Sequence, residues 1–208
     1  MKQELGVAFR EVSWGEKNRS VGRIFLEHAL LVSEVMVTLE LACRERGIRL
    51  VFQDELALAA KRQPFRWRVN IGNNLKLGVV PDQVFALEFS DQDGNSQRAF
   101  FFLEADRGTM PVTRHNLSKT SFRRKLLAYE ATWTQNLHRT RFGFHRFRVL
   151  TITTSAARVK SLVDACSRLE RGHGLFLFAD RSVLAKPAAM FSPIWQTGKQ
   201  GEMGSLLD

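Results

Sequence analysis

Arg98-Ala99-Phe100-Phe101-Phe102-Leu103-Glu104-Ala105-Asp106 is the stretch on which the reading of this 208-residue chain turns. In an extended strand, side chains alternate between faces, so Phe100, Phe102, Glu104 and Asp106 share one side and Phe101, Leu103 and Ala105 the other. Both sides are apolar up to the end, where acidic groups emerge on one of them. A strand apolar on both faces lies in the middle of a sheet and is covered on both sides.

Upstream, Asp91 to Asn95 carries an Asp-Gly hairpin signal, and Val84 to Phe89 is the partner strand, entered through Pro81-Asp82. Phe65 to Ile71 and Leu77 to Val80 also look extended. Earlier still, apolar residues recur with helical spacing from Val21 to Arg44, which predicts a long, largely buried helix ending at Gly47. Downstream, Ser118 to Leu137 fits a helix with Phe122, Leu126, Tyr129, Trp133 and Leu137 along one stripe. Phe147 to Thr154 reads as a strand, Ser155 as the cap of a helix running toward Gly172, and Leu175 to Ala179 as the last strand. Residues 1–18 form an N-terminal segment, and the tail 187–208 is expected to pack irregularly. The order predicts an α/β fold, a mixed central sheet flanked by helices, in a single domain over 1–208.

Composition narrows the partner. The 31 Lys and Arg against 21 Asp and Glu leave a formal charge of +10, which points to an anionic partner. No run of about 18 apolar residues could span a bilayer and no signal-peptide pattern opens the chain, so nucleic acid is favoured over membrane and a cytoplasmic location is expected. Cys43 and Cys166 lack C-x-x-C spacing, and the histidines at 28, 115, 138, 145 and 173 lack zinc-ligand spacing.

Asp82 stands at one strand entrance and Glu104 follows 22 residues later at the end of the next. Adjacent strands would bring the two carboxylates together, and such a pair needs a cation, a proton or a basic partner; Mg2+ (or Mn2+) suits the oxygen donors. Lys125 is the candidate to orient an attacking water, with Tyr129 one helical turn on. His28 and Glu34, polar interruptions of the first helix, could approach the site. Arg107, Arg123, Arg124, Arg139, Arg141 and Arg146, interleaved with aromatic residues, are candidate DNA contacts. Two plainer readings stand beside these: Asp82 as a turn cap, and Glu104 and Asp106 as ion-pair partners of Arg107 or another arginine.

Taken together, Leu26-Glu27-His28-Ala29-Leu30, Pro81-Asp82, Phe102-Leu103-Glu104-Ala105-Asp106-Arg107-Gly108-Thr109, Lys125-Leu126-Leu127-Ala128-Tyr129 and the run from Val149 to Arg158 resemble the replication-relaxation family. The resemblance implies a restriction-endonuclease-like core of the PD-(D/E)XK superfamily, kinship with mobilisation relaxases, and DNA strand processing in plasmid or mobile-element replication. Asp82, Glu104 and Lys125 would then be the catalytic set, with Asp82 and Glu104 on the metal. Asp106 stands where the superfamily pattern has Lys, so catalysis requires Lys125 to substitute from the helix or Asp106 to assist the metal; otherwise the chain is a catalytically inactive DNA-binding accessory module. An interaction protein meeting an acidic protein partner is a third class. Larger members resemble winged-helix proteins in an amino-terminal extension, whereas this chain starts close to the nuclease-like helix, so sequence-specific duplex recognition is expected from a partner or not at all. Expected partners are DNA and replication or mobilisation proteins, with a homodimer allowed.

Overall fold

The computed structural model describes residues 2–59, 65–72, 75–90 and 93–208. Its helices are α1 (Lys2–Arg46), α2 (Gln53–Ala59), α3 (Phe122–Thr134), α4 (Leu137–Thr140) and α5 (Ala156–Cys166). Its strands are β1 (Arg49–Phe52), β2 (Trp67–Ile71), β3 (Leu75–Val79), β4 (Gln83–Ser90), β5 (Ser96–Ala105), β6 (Arg148–Thr153), β7 (Phe176–Asp180), β8 (Trp195–Thr197) and β9 (Met203–Gly204). Seven strands form one sheet in the order β1-β4-β5-β6-β7-β8-β9, while β2 and β3 pair only with each other.

β4 and β5 are an antiparallel hairpin, whereas β5, β6 and β7 run parallel, joined by crossovers that contain α3 and α5. The crossovers are needed because a parallel neighbour must be reached from the opposite end of the sheet. The sheet is therefore mixed, with β5 between an antiparallel and a parallel neighbour. The alternation in β5 becomes a division of the core. Phe102 packs with Leu126 and Tyr129 of α3, Leu162 of α5 and Trp67 of the small hairpin, whereas Phe101 and Leu103 pack with Val35 and Leu39 of α1.

The structure departs from the sequence expectations in five places. First, β1 is a strand that the pattern of residues does not predict: its four residues follow α1 after a single turn, too briefly for any periodicity. Gly47 makes that turn at φ 64°, and Ile48 N–H donates to Cys43 O at 2.9 Å to close the helix. Second, the extended stretches before Pro81 form a separate hairpin lying on α3. Third, α1 takes in the expected N-terminal segment and is only half buried where its side chains are described. Leu31, Val35 and Leu39 are buried, but Leu26, Leu30, Val37 and Leu41 remain 46–59% exposed, because a helix lying on a sheet buries one stripe. Fourth, the helix predicted over 118–137 starts at Phe122 and ends at Thr134; Trp133 is exposed and Leu137 opens α4. Fifth, the tail is not wholly irregular, since β8 and β9 extend the sheet beyond β7, with Trp195 fully buried and its Nε1–H on Met190 O at 2.8 Å. Ser155 caps α5 as expected, its Oγ accepting from Arg158 N–H. No helix among the described residues is long and apolar enough to cross a membrane.

The small hairpin is pinned by one buried polar contact: Trp67 Nε1–H donates to Thr132 Oγ1 of α3 at 2.8 Å, and that hydroxyl donates onward to Ala128 O at 2.7 Å. Thr132→Val keeps the shape and leaves the indole N–H unpaired, and is expected to cost about 1–3 kcal/mol in urea denaturation.

Candidate active site

The site lies where β5 runs out of the core. The β4–β5 register pairs Gln83 with Leu103, so Asp82, one residue before β4, stands opposite Glu104 on the same face. Two bonds hold it there: Asp82 N–H donates to Leu103 O at 3.0 Å, and Asp82 Oδ2 accepts Ala105 N–H at 2.7 Å. His28 reaches down from α1 and places Nε2 3.1 Å from Asp82 Oδ1.

Glu104 is 1% exposed. From α3, Lys125 Nζ pairs with its Oε2, and Tyr129 O–H donates to its Oε1 at 2.6 Å. The i, i+4 spacing of Lys125 and Tyr129 places both on the helix face that meets the sheet. Burial pushes the Glu104 carboxyl up to about 7; the Asp82 charge pushes the same way, while Lys125 and the Tyr129 hydroxyl oppose it. Burial alone would lower the Lys125 ammonium, but the charges of Glu104, Asp82 and Asp106 outweigh it and the group ends raised. The Tyr129 phenol is raised well above its ordinary value by burial and by Glu104, so it acts as a donor.

Asp106 has a separate set of partners. Its N–H donates to Ile152 O of β6. Its carboxylate accepts from Thr153 Oγ1 at 2.7 Å and from Arg158 through Nε at 2.8 Å and an Nη at 3.1 Å, a two-pronged contact. Arg158 also donates to Met110 O at 2.6 Å, tying in the loop that leaves β5. That loop turns at Gly108, φ 72°, whose N–H donates back to Asp106 Oδ1 at 3.3 Å. Arg158 and Thr153 carried no assigned role in the sequence reading; the signal for them was the run from Val149 to Arg158, where a capped helix start returns an arginine to the strand ends.

Of the other candidates, Arg107 lines the open cleft beside Phe25, His28 and Lys125 and lies 3.7 Å from Glu27. Arg124 lines a second cavity at Glu104 and Lys125, with Arg123 before it on the first turn of α3. Arg139, Arg141 and Arg146 lie beyond the other end of α3, a helix about 20 Å long. There Arg139 donates to His145 O and Arg141 to Arg66 O, while Arg146 borders a further cavity with Trp133. Glu34 is not brought to the carboxylates; it pairs with Arg181 at 2.5 Å.

Two neighbouring carboxylates offer hard oxygen donors to a cation that keeps most of its water, as Mg2+ does. Asp82 and Glu104 fit that role, because each carboxylate oxygen has two lone pairs and so retains acceptor capacity beside its present partner. A fuller protein cage is absent: among the described residues no group of three or more His, Cys, Asp or Glu side chains is placed to hold a metal ion.

Two outcomes are expected. The folded-state value of Glu104 lies above its ordinary 4.5, so the stability tied to its protonated form is complete below 4.5 and is lost as pH rises through about 7. The urea midpoint of the wild type should fall over that interval and that of Glu104→Gln should stay flatter; an equal fall in both would assign the titration to another group. Arg158→Met strands the buried Asp106 charge and should cost about 3–5 kcal/mol, much of it recovered in the double variant with Asp106→Asn; simple additivity in denaturation would contradict the pairing.

A family model described as replication-relaxation matches residues 6–146. No curated protein and no solved structure matches the chain. The match spans Asp82, Glu104, Asp106, Lys125 and Tyr129 and covers well over half of the sequence, and the chain belongs to the replication-relaxation family.

Proposed function

We propose that this protein cuts one strand of DNA, as a metal-dependent endonuclease or nickase in plasmid or mobile-element replication or mobilisation. The observation that carries the reading is the meeting of Asp82, Glu104 and Lys125, from the entrance of β4, the end of β5 and the first turns of α3. The family description supports a setting in replication, and the net charge of +10 supports a polyanionic partner. The restriction-endonuclease-like core belongs to the same proposal: a mixed sheet with its acidic pair at the end of a hairpin, and the ammonium supplied by the helix that follows.

Phosphodiester hydrolysis needs charge neutralised on the phosphate and a water made more nucleophilic, which Mg2+ or Mn2+ on Asp82 and Glu104 would supply. Lys125, about a third exposed, has its ammonium at the boundary between the buried carboxylate and the cleft, where it holds a phosphate oxygen or orients the water. Tyr129 keeps Glu104 in one orientation, and His28 does the same for Asp82. Asp106, engaged by Arg158 and Thr153, sets the position of the β5 end. Arg107, Arg123 and Arg124 take the DNA backbone near the cut, and Arg139, Arg141 and Arg146 take it farther away.

One observation favours a second reading, a DNA-binding accessory module without catalysis: the carboxylate oxygens of Asp82, Glu104 and Asp106 already accept from protein donors.

Incubation of supercoiled plasmid with purified protein and Mg2+ or Mn2+ separates the two. Nicked circles should accumulate with the wild type and form about 100-fold or more slowly with Asp82→Ala, Glu104→Gln and Lys125→Ala, each checked for folding by circular dichroism. Binding that weakens steeply with salt, without nicking, would establish the accessory module instead.

A further inference from the structure

The open cleft beside the carboxylates has a volume of about 350 Å3, within the range of small-ligand sites, which begin at roughly 300 Å3. One wall is α1, through Phe25 and His28, and the other is the loop leaving β5, through Arg107, Thr109 and Met110. Ala105, Asp106, Phe122 and Lys125 complete the lining. His28 stands 3.1 Å from Asp82. Phe25 precedes His28 by three residues, so the two share a helix face, with the ring about 4.5 Å farther along the axis from the carboxylate.

Phe25 is 74% exposed, more than any other large apolar side chain among the described residues. Leu26, Leu30, Val37 and Leu41 are exposed on a different face of α1, so the ring is not part of that stripe. A single exposed ring on an open surface needs no explanation, but this one stands in the wall of a cleft whose other wall is basic. From Arg107 to Tyr129 the chain carries Arg107, Arg114, Lys119, Arg123, Arg124 and Lys125 and no Asp or Glu. The loop that bears the first three is held in place: Arg158 donates to Met110 O at 2.6 Å, Arg114 Nε to Thr120 O at 3.0 Å and Arg124 to Ser118 O at 3.0 Å. Cations along a groove take phosphates, and an aromatic ring within it takes the face of a base. Stacking on that ring requires an open base face, which an unpaired nucleotide has and a paired one, covered by its neighbours, lacks.

We propose that this cleft takes an unpaired strand of DNA, with one base stacked on Phe25 and the backbone following the cations of the loop 107–121. The assignment rests on the reading of the neighbouring carboxylates as a DNA-processing site, and it names the substrate of that site as single-stranded or locally melted DNA rather than intact duplex.

The test is fluorescence anisotropy of the full chain with labelled oligothymidylate, an abasic strand of the same length and a duplex of the same length, all in EDTA so that no cutting intervenes. Oligothymidylate should bind more tightly than either of the others. Phe25→Ala should weaken its binding about 10-fold, the loss of one stacked base, and leave the abasic strand unchanged, whereas Phe25→Trp should keep the wild-type affinity. The melting temperature should stay the same in both variants, because the ring is mostly in water already. Equal affinity for the abasic strand, tighter binding of the duplex, or a Phe25→Ala protein that binds oligothymidylate as before or loses both strands alike would overturn the proposal. Plasmid nicking measured alongside keeps the two readings apart. Phe25-dependent strand binding in a protein that does not nick upholds the cleft and refutes the nuclease, whereas nicking without that dependence does the reverse.

Discussion

A carboxylate on a strand covered on both faces is the constraint around which this protein is organised. Glu104 follows Phe102 by one strand repeat, so it points into the same layer as the aromatic core and is almost fully removed from water. An isolated charge there would be prohibitive. The structure offsets it from one side by the ammonium and phenol of α3, while Asp82 presses from the other with a like charge. The balance leaves the carboxyl poised near neutrality, where gaining or losing a proton costs little.

The elements around the site follow from that placement. α3 packs on the sheet through Leu126 and Tyr129, and the same face delivers Lys125 and Tyr129 to Glu104 and Thr132 to the small hairpin. α5 supplies Arg158, which anchors Asp106 and the outgoing loop together. α1 covers the opposite face and contributes His28 at its edge. Each of these helices thus has an apolar stripe that holds it and polar side chains that reach the strand termini. The core and the site are two parts of the same packing.

Much of this could be read in the residues. Phe100 to Asp106 announces a central strand because large apolar side chains on both of its faces demand a cover on each, and the Asp-Gly signal predicts the hairpin that sets Asp82 beside Glu104. Lys125 could be named from the helix, but its direction toward Glu104 could not, since that depends on how α3 lies across the sheet. The partner of Asp106 was open for the same reason: with many arginines, only the β6–α5 turn decides that Arg158 is the one. Short elements were illegible on different grounds. β1, β8 and β9 have two to four residues, fewer than periodicity can register, and they exist because a neighbouring strand offers unpaired backbone. The start of α3 at Phe122 rather than Ser118 was hidden for a related reason, since the carbonyls of Pro111 and Val112 that take its first amides lie eleven positions before them in the chain.

The route by which the ammonium reaches Glu104 also decides when the site exists. Had the cation been two residues farther along β5, strand geometry alone would have fixed its distance from the carboxylate. Here the carboxylates come from a hairpin and the ammonium from a crossover helix, so the three meet only once α3 has docked. Any excursion in which α3 lifts from the sheet disassembles the constellation while the hairpin can stay intact. The constellation is therefore contingent on tertiary docking, and its integrity reports on how α3 holds to the sheet rather than on the stability of the sheet itself.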